Sequence, residues 1–245
     1  MGELIAVLSG KGGTGKTSLC AGIASALAEE GARVLCIDCD IGLRNLDISL
    51  GMADSGALSF VDLYQGGYGL EQAAAHRIWP SLFFLTAPLN CHPEEVDETA
   101  FRDLLRRARK EFDYVFLDAP AGVDTGFRLC ARNADRVILV TNPDPSAIRD
   151  AARTGQLLET MGKEQVKIVV NKVTSKLFEI TRRTVDDVMD EAGLPLLGIV
   201  PEDENVVLCA SFDRPLLYKY RKGAAAACRR IAQRIQGLPV PMKIR

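Results

Sequence analysis

Short apolar runs and longer amphipathic stretches take turns along this chain. The apolar runs are residues 4–8, Val34–Asp38, Leu82–Leu85, Tyr114–Asp118, Arg136–Thr141, 166–170 and 196–200. Runs this short and this apolar fit strands buried on both faces. Between them, 18–30 reads as a helix that Gly31 ends, and 94–110 places Phe101, Leu104, Leu105 and Ala108 on one helical face. A helix opening at Asn142-Pro143-Asp144-Pro145 reaches about residue 161, and a last one covers about 215–236. In that last helix Leu217, Ala224, Cys228, Ile231 and Ile235 share a face, with Arg221, Arg229, Arg230 and Arg234 largely elsewhere. Two short amphipathic stretches flank Gly66-Gly67-Tyr68-Gly69. Strand followed by helix throughout predicts the α/β class: a mostly parallel sheet with helices on both faces, forming a single domain over 1–236 with a short tail at 237–245. In such sheets ligands gather at the carboxyl ends of the strands.

Composition narrows the class. The chain has 245 residues, 47% hydrophobic and 25% charged, which suits one large soluble core. A net charge of −2 gives no footprint for nucleic acid, and no specific nucleic-acid partner is expected. No run approaches the ~18 apolar residues of a transmembrane helix. The N-terminus enters a strand at once, leaving no room for a signal peptide. The seven cysteines are read as reduced thiols of a cytoplasmic protein. Cys36 and Cys39 form a C-x-x-C, but positions three apart on a strand face opposite sides, so they are core or loop thiols rather than a redox pair. The basic run from Arg102 to Lys110 reads as a solvated helix face.

The chemistry concentrates behind the first apolar run, in Gly10-Lys11-Gly12-Gly13-Thr14-Gly15-Lys16-Thr17. Gly10, Gly15, Lys16 and Thr17 satisfy the phosphate-binding pattern G-x-x-x-x-G-K-[ST] between a strand and a helix. Backbone N–H groups of Gly12, Gly13, Thr14, Gly15 and, in the first turn of the helix, Ser18 would cradle phosphate, helped by the helix N-terminus. Lys16 would reach the β- and γ-phosphates and the Thr17 hydroxyl would bind Mg²⁺. Asp38 and Asp40, two apart at a strand end, would point together toward that site, although aspartates there could equally cap a turn. Asp118 follows four apolar strand residues, the Walker B arrangement, and can hold Mg²⁺ through water. Asn171-Lys172-Val173-Thr174 has Thr174 where guanine recognition needs a carboxylate, so adenine is the expected base, with Asn171 on its polar edge.

The second loop lysine, Lys11, makes K-G-G-T-G-K-T resemble the deviant Walker A motif of the MinD/ParA/nitrogenase-iron-protein group. The stretch D-I-G-L-R-N-L-D, residues 40–47, is similar to switch I of the MinD-type septum-site-determining ATPases. Asp118-Ala119-Pro120-Ala121-Gly122 resembles their switch II, D-S-P-A-G, with alanine for serine, and Pro201-Glu202-Asp203 resembles their adenine-side loop. The resemblance runs nearly the whole chain through Pro215. It implies an ATP/ADP switch with Mg²⁺ as cofactor and Lys11 reaching the partner's nucleotide in an ATP-dependent homodimer. It also implies Asp40 orienting the attacking water, Asp38 near the magnesium, and Gly122 as a pivot by the γ-phosphate. Implied partners are a division inhibitor and an ATPase-activating protein. Members of this group end in an amphipathic membrane helix, whereas 237–245 carries Pro239 and Pro241 and cannot form one. Either the anchor was removed or this homologue acts without it, so the expected location is the cytoplasm, with attachment to the inner face of the membrane through partners. The rivals are a ParA-type segregation ATPase, a flagellar-placement relative, and an iron–sulfur electron donor using Cys91 and Cys130.

Overall fold

The sheet grows outward from the first strand. In the computed structural model, which describes residues 1–174, 176 and 184–242, eight strands line up in the order β3-β4-β2-β5-β1-β6-β7-β8. They are β1 (Glu3–Leu8), β2 (Val34–Asp38), β3 (Ala74–Ala75), β4 (Leu82–Leu85), β5 (Tyr114–Asp118), β6 (Arg136–Thr141), β7 (Val166–Val173) and β8 (Leu196–Pro201). Every pairing is parallel except the antiparallel contact of the short β3 with β4. Successive strands step to one side of β1 and then, from β6, to the other. That reversal opens a crevice at the carboxyl ends of the central strands.

Helices cover both faces. The described ones are α1 (Lys16–Glu29), α2 (Leu46–Leu50), α3 (Phe60–Gln65), α4 (Glu98–Glu111), α5 (Thr125–Asn133), α6 (Pro145–Thr160), α7 (Val185–Ala192), α8 (Glu204–Ser211), α9 (Leu216–Lys219) and α10 (Gly223–Ile235). Strand alternation divides the core in two. Leu4, Ala6 and Leu8 pack with the apolar faces of α4, α5, α6 and α7, while Ile5 and Val7 pack with α1, α2, α9 and α10. Cys36 and Cys39 obey the same rule: both are buried, and they belong to opposite layers. Close packing of α1 on α10 rests on Gly22, where a Cβ would come within 2.6 Å of the Cys228 sulfur.

The structure corrects several boundaries. The helix expected over 94–110 is a 3₁₀ turn, Pro93–Glu95, followed by α4, because the Asp97 carboxylate accepts the Thr99 and Ala100 N–H groups and restarts the chain as a helix. The single last helix is two, α9 and α10. Gly223, the first residue of α10, lies at φ 59°, and Asp203 Oδ2 accepts the Ala224 N–H at 2.9 Å to begin that helix. β7 continues past residue 170 to Val173, and α2, α5, α7 and α8 were not foreseen. No helix among the described residues is long and apolar enough to cross a membrane. The expectation for the tail falls partly on residues 243–245, outside the described residues.

Candidate nucleotide site

The loop from β1 to α1 is shaped by two left-handed glycines, Gly13 at φ 78° and Gly15 at φ 84°. Any side chain would be strained at either position. At Gly15 a Cβ would also sit 2.3 Å from the Asn171 amide nitrogen. No side chain caps α1, so its first N–H groups stay available to an anion. Lys16 enters the crevice nearly buried, at 6% exposure, and its Nζ meets Asp118 Oδ1 at 3.0 Å. Burial opposes the charge on Lys16, but the Asp118 carboxylate outweighs it and lifts the amine above its ordinary pKa.

Asp38 and Asp118 lie side by side at the ends of adjacent strands, as direct partners in the β2–β5 register, and Asp118 and Asp40 are the carboxylates that act on Lys16. Asp118 is fully buried; burial lifts its pKa and Lys16 is the counter-charge that opposes this. Its Oδ2 is buried without a hydrogen-bond partner. Asp38 accepts N–H groups of Asp40 at 2.9 Å and Leu46 at 3.2 Å, so it organises the whole 40–46 turn. Burial first, and then repulsion from Asp118, push Asp38 up to about 7. Asp40 is half-buried and raised by burial, with Lys16 opposing. An orphaned carboxylate oxygen beside the Thr17 hydroxyl and a surplus of negative charge fit a divalent cation. So sparse a set of protein donors suits Mg²⁺, which keeps its waters and takes phosphate oxygens.

On the other side of Gly15 lies a cavity of about 590 Å³ lined by Ser18, Leu19, Asn171, Thr174, Pro201 and Glu202, among others. Asp203 edges it but spends its oxygens on the starts of α8 and α10, accepting N–H groups of Asn205 and Ala224. Asn171 is 7% exposed and gives its amide N–H to Thr14 O at 2.8 Å. Beside the phosphate loop, the Gly122 N–H donates to Ser9 O at 3.1 Å, with Gly122 at φ 94°. A Cβ on Gly12 would just touch that of Ala121, so the loop and the 119–122 segment lie edge to edge.

Lys11 stands apart. Its Nζ donates to Ser146 Oγ at 2.7 Å and lies 3.8 Å from Asp144 Oδ1, at the start of α6. Asp144 caps that helix through Ala147 N, and Ser146 donates to the same carboxylate. Sequence reasoning missed these two residues and also Lys172, whose Nζ donates to Gly13 O at 2.8 Å. Asp-Pro-Ser was a legible helix cap, but nothing in it announces a lysine from 135 residues away. The cysteines proposed for an iron–sulfur group do not converge on a site: Cys130 is buried within α5, and Cys91 is half-buried beyond β4.

Comparisons with known proteins bear on the family and the fold. A family model, the CobQ/CobB/MinD/ParA nucleotide binding domain, matches residues 5–216. The chain is 35% identical over 248 aligned positions to the septum site-determining protein MinD of Bacillus subtilis, covering 100% of this chain and 92% of that protein. With MinD of Synechocystis the identity is 32%, over 98% of this chain and 92% of the relative. Among solved structures, a chain of the MinC:MinD cell division protein complex of Aquifex aeolicus superposes with a TM-score of 0.90 at 33% identity, 98% of each chain being covered. MinD of Pyrococcus horikoshii, complexed with Mg-ADP, gives 0.82 at 26% identity over 96% of each chain. A ParA family ATPase of Chlorobium tepidum, at 20% identity, shares the fold.

Proposed function

The chain belongs to the CobQ/CobB/MinD/ParA nucleotide-binding family, and from that premise we propose that it is a Mg²⁺-dependent ATPase switch of the MinD type. The observation that carries the reading is the buried Lys16–Asp118 pair beside an orphaned carboxylate oxygen, closed over by a glycine loop at a helix N-terminus. A protein core has little reason to bury a lysine and two aspartates at the strand ends, with a third aspartate half-buried beside them, unless a polyanion and a cation complete them.

In this reading the loop amides and Lys16 hold the β- and γ-phosphates, while Thr17, Asp118 and, from its neighbourhood, Asp38 hold Mg²⁺. Bound Mg²⁺ would neutralise charge on the phosphates. Asp40 orients the attacking water. The base lies in the cavity beside Gly15, against Asn171 and the Pro201–Asp203 loop. Asn171 gives one N–H to Thr14 O and keeps its carbonyl and its second N–H for the base edge, so the preference for adenine rests on Thr174, which stands where guanine recognition needs a carboxylate. ATP brings two subunits together across their phosphate loops, Lys11 of each reaching the other's nucleotide, and hydrolysis releases them. The dimer recruits a division-inhibitor partner, a reading that the solved MinC:MinD cell division protein complex of Aquifex aeolicus supports, and meets an activating protein in the cytoplasm or at the inner face of the membrane.

The test is phosphate release from ATP, with and without chelation of Mg²⁺, by the parent, Lys16→Ala and Lys16→Gln. Lys16→Gln can still hydrogen-bond Asp118, which guards against loss of fold. The reading expects turnover in the parent alone, only with Mg²⁺, and preference for ATP over GTP. Equal rates in parent and both variants would end it.

A further inference from the structure

β7 ends in a way that a regular strand cannot. Successive side chains of a strand point to opposite faces, so Asn171 and Lys172 should diverge. Instead Asn171 Nδ2 donates to Thr14 O at 2.8 Å and Lys172 Nζ donates to Gly13 O at 2.8 Å. Two features allow it. Lys172 takes φ 55°, a left-handed conformation that is uncommon for a lysine, and the β7–β8 register slips between Val170 and Val173. Irregularities of this kind beside active sites re-aim side chains, and strain kept at one residue needs a return elsewhere.

The return is the orientation of the phosphate loop. Across a trans peptide the C=O of one residue and the N–H of the next point in opposite directions, and the described residues include no cis peptide. Drawing the Gly13 carbonyl toward β7 turns the Thr14 N–H away from β7. Drawing the Thr14 carbonyl the same way does this for the Gly15 N–H. We infer that Lys172 is a positioning residue for the nucleotide site, the second prong of a brace in which Asn171 and Lys172 hold two successive carbonyls outward so that two successive N–H groups face the phosphates. This rests on the phosphate-loop reading above. Asn171 and Lys172 both also border the base cavity, so the brace ties the base side of the site to the phosphate loop.

Lys172→Ala, Lys172→Arg and Lys16→Ala are compared with the parent for the affinity of Mg-ATP and Mg-GTP, for KM and kcat, and for Tm. Lys172 is exposed, so its variants should fold. Losing one charged hydrogen bond from a preorganised loop should weaken nucleotide binding in Lys172→Ala on the order of tenfold. KM should rise in parallel and kcat stay within about twofold, the pattern of lost uniform binding. The preference for ATP over GTP should persist, because Thr174 is intact, and Lys172→Arg should recover affinity to within about threefold of the parent. A purely structural lysine would lower Tm and leave KM alone. The brace is overturned if Lys172→Ala binds within about twofold of the parent while Lys16→Ala loses binding, or if Lys172→Arg recovers nothing. If Lys16→Ala itself binds like the parent, the phosphate-loop reading falls and the brace with it.

Discussion

Two lysines five positions apart on one loop live in opposite electrostatic worlds. Lys16 is 6% exposed, locked on Asp118 and within the field of Asp40. Lys11 has a side chain 45% exposed, and its carboxylate neighbour Asp144 is 47% exposed and 3.8 Å away. A buried pair that loses one partner leaves an uncompensated charge, a loss of about 3–5 kcal/mol in comparable sites. An exposed pair is worth about 0–1 kcal/mol. The first lysine is therefore built in, part of a site complete within one subunit, whereas the second is lightly held and can be withdrawn by a modest competing attraction. In the proposed dimer, an anionic phosphate group on the second subunit would supply such an attraction.

The largest expected effect separates the two directly. Lys16→Ala should lose at least about a hundredfold in nucleotide affinity, while Lys11→Ala stays within about threefold, since the loop amides and Lys16 remain. Isothermal titration with ADP reads both, and similar losses in the two variants would erase the distinction. Next in size, Asp40→Ala should bind ATP normally and turn it over about a hundredfold more slowly, because water is no longer oriented. Single-turnover phosphate release checks this.

A smaller effect concerns pH. His76 is buried, with Nε2 on Leu50 O at 2.9 Å and Nδ1 accepting the N–H groups of Ile78 and Trp79. Burial lowers its folded pKa below the ordinary 6.5, so the unfolded chain takes up the proton first. The stability it contributes is thus whole above pH 6.5 and is lost as pH falls toward the depressed folded value. The buried Asp38, pushed up to about 7, gains stability over the same interval, so the histidine is read by difference: the Tm of the parent relative to His76→Asn, which keeps an acceptor near Nδ1, should fall between pH 7.5 and 5.5.

The smallest effect probes the exposed lysine. Asp144→Asn keeps a competent helix cap, so stability should move by no more than about 0.5 kcal/mol. It removes the charge near Lys11, and ATP-dependent self-association should tighten about threefold. Sedimentation at several concentrations measures it; weaker association would mean that Asp144 supports the docked lysine rather than restraining it.

What the sequence disclosed follows the same division. The central strands were legible because buried parallel strands are apolar on both faces, and the phosphate loop because its glycines and Lys16 have fixed spacing within one segment. Asp118 was legible as the polar stop of an apolar run. Contacts made across the fold were not. Lys11 on Ser146 and Lys172 on Gly13 join segments more than a hundred residues apart. The left-handed turn at Lys172 contradicts the alternation that a strand pattern teaches one to expect. The break between α9 and α10 was hidden for a related reason: it depends on Asp203, a residue outside that helix, capping Ala224.

The central claim is that nucleotide state and Lys11 together decide whether one subunit or two are present. Sedimentation velocity of the parent, Asp40→Ala and Lys11→Ala, each with Mg-ATP and with Mg-ADP, tests it most directly. The account predicts a dimer for Asp40→Ala with ATP and monomers with ADP. For the parent it predicts a dimer with ATP that decays as hydrolysis proceeds, and for Lys11→Ala monomers with either nucleotide although both are bound. A monomeric Asp40→Ala in ATP, or a Lys11→Ala that dimerises like the parent, would contradict it.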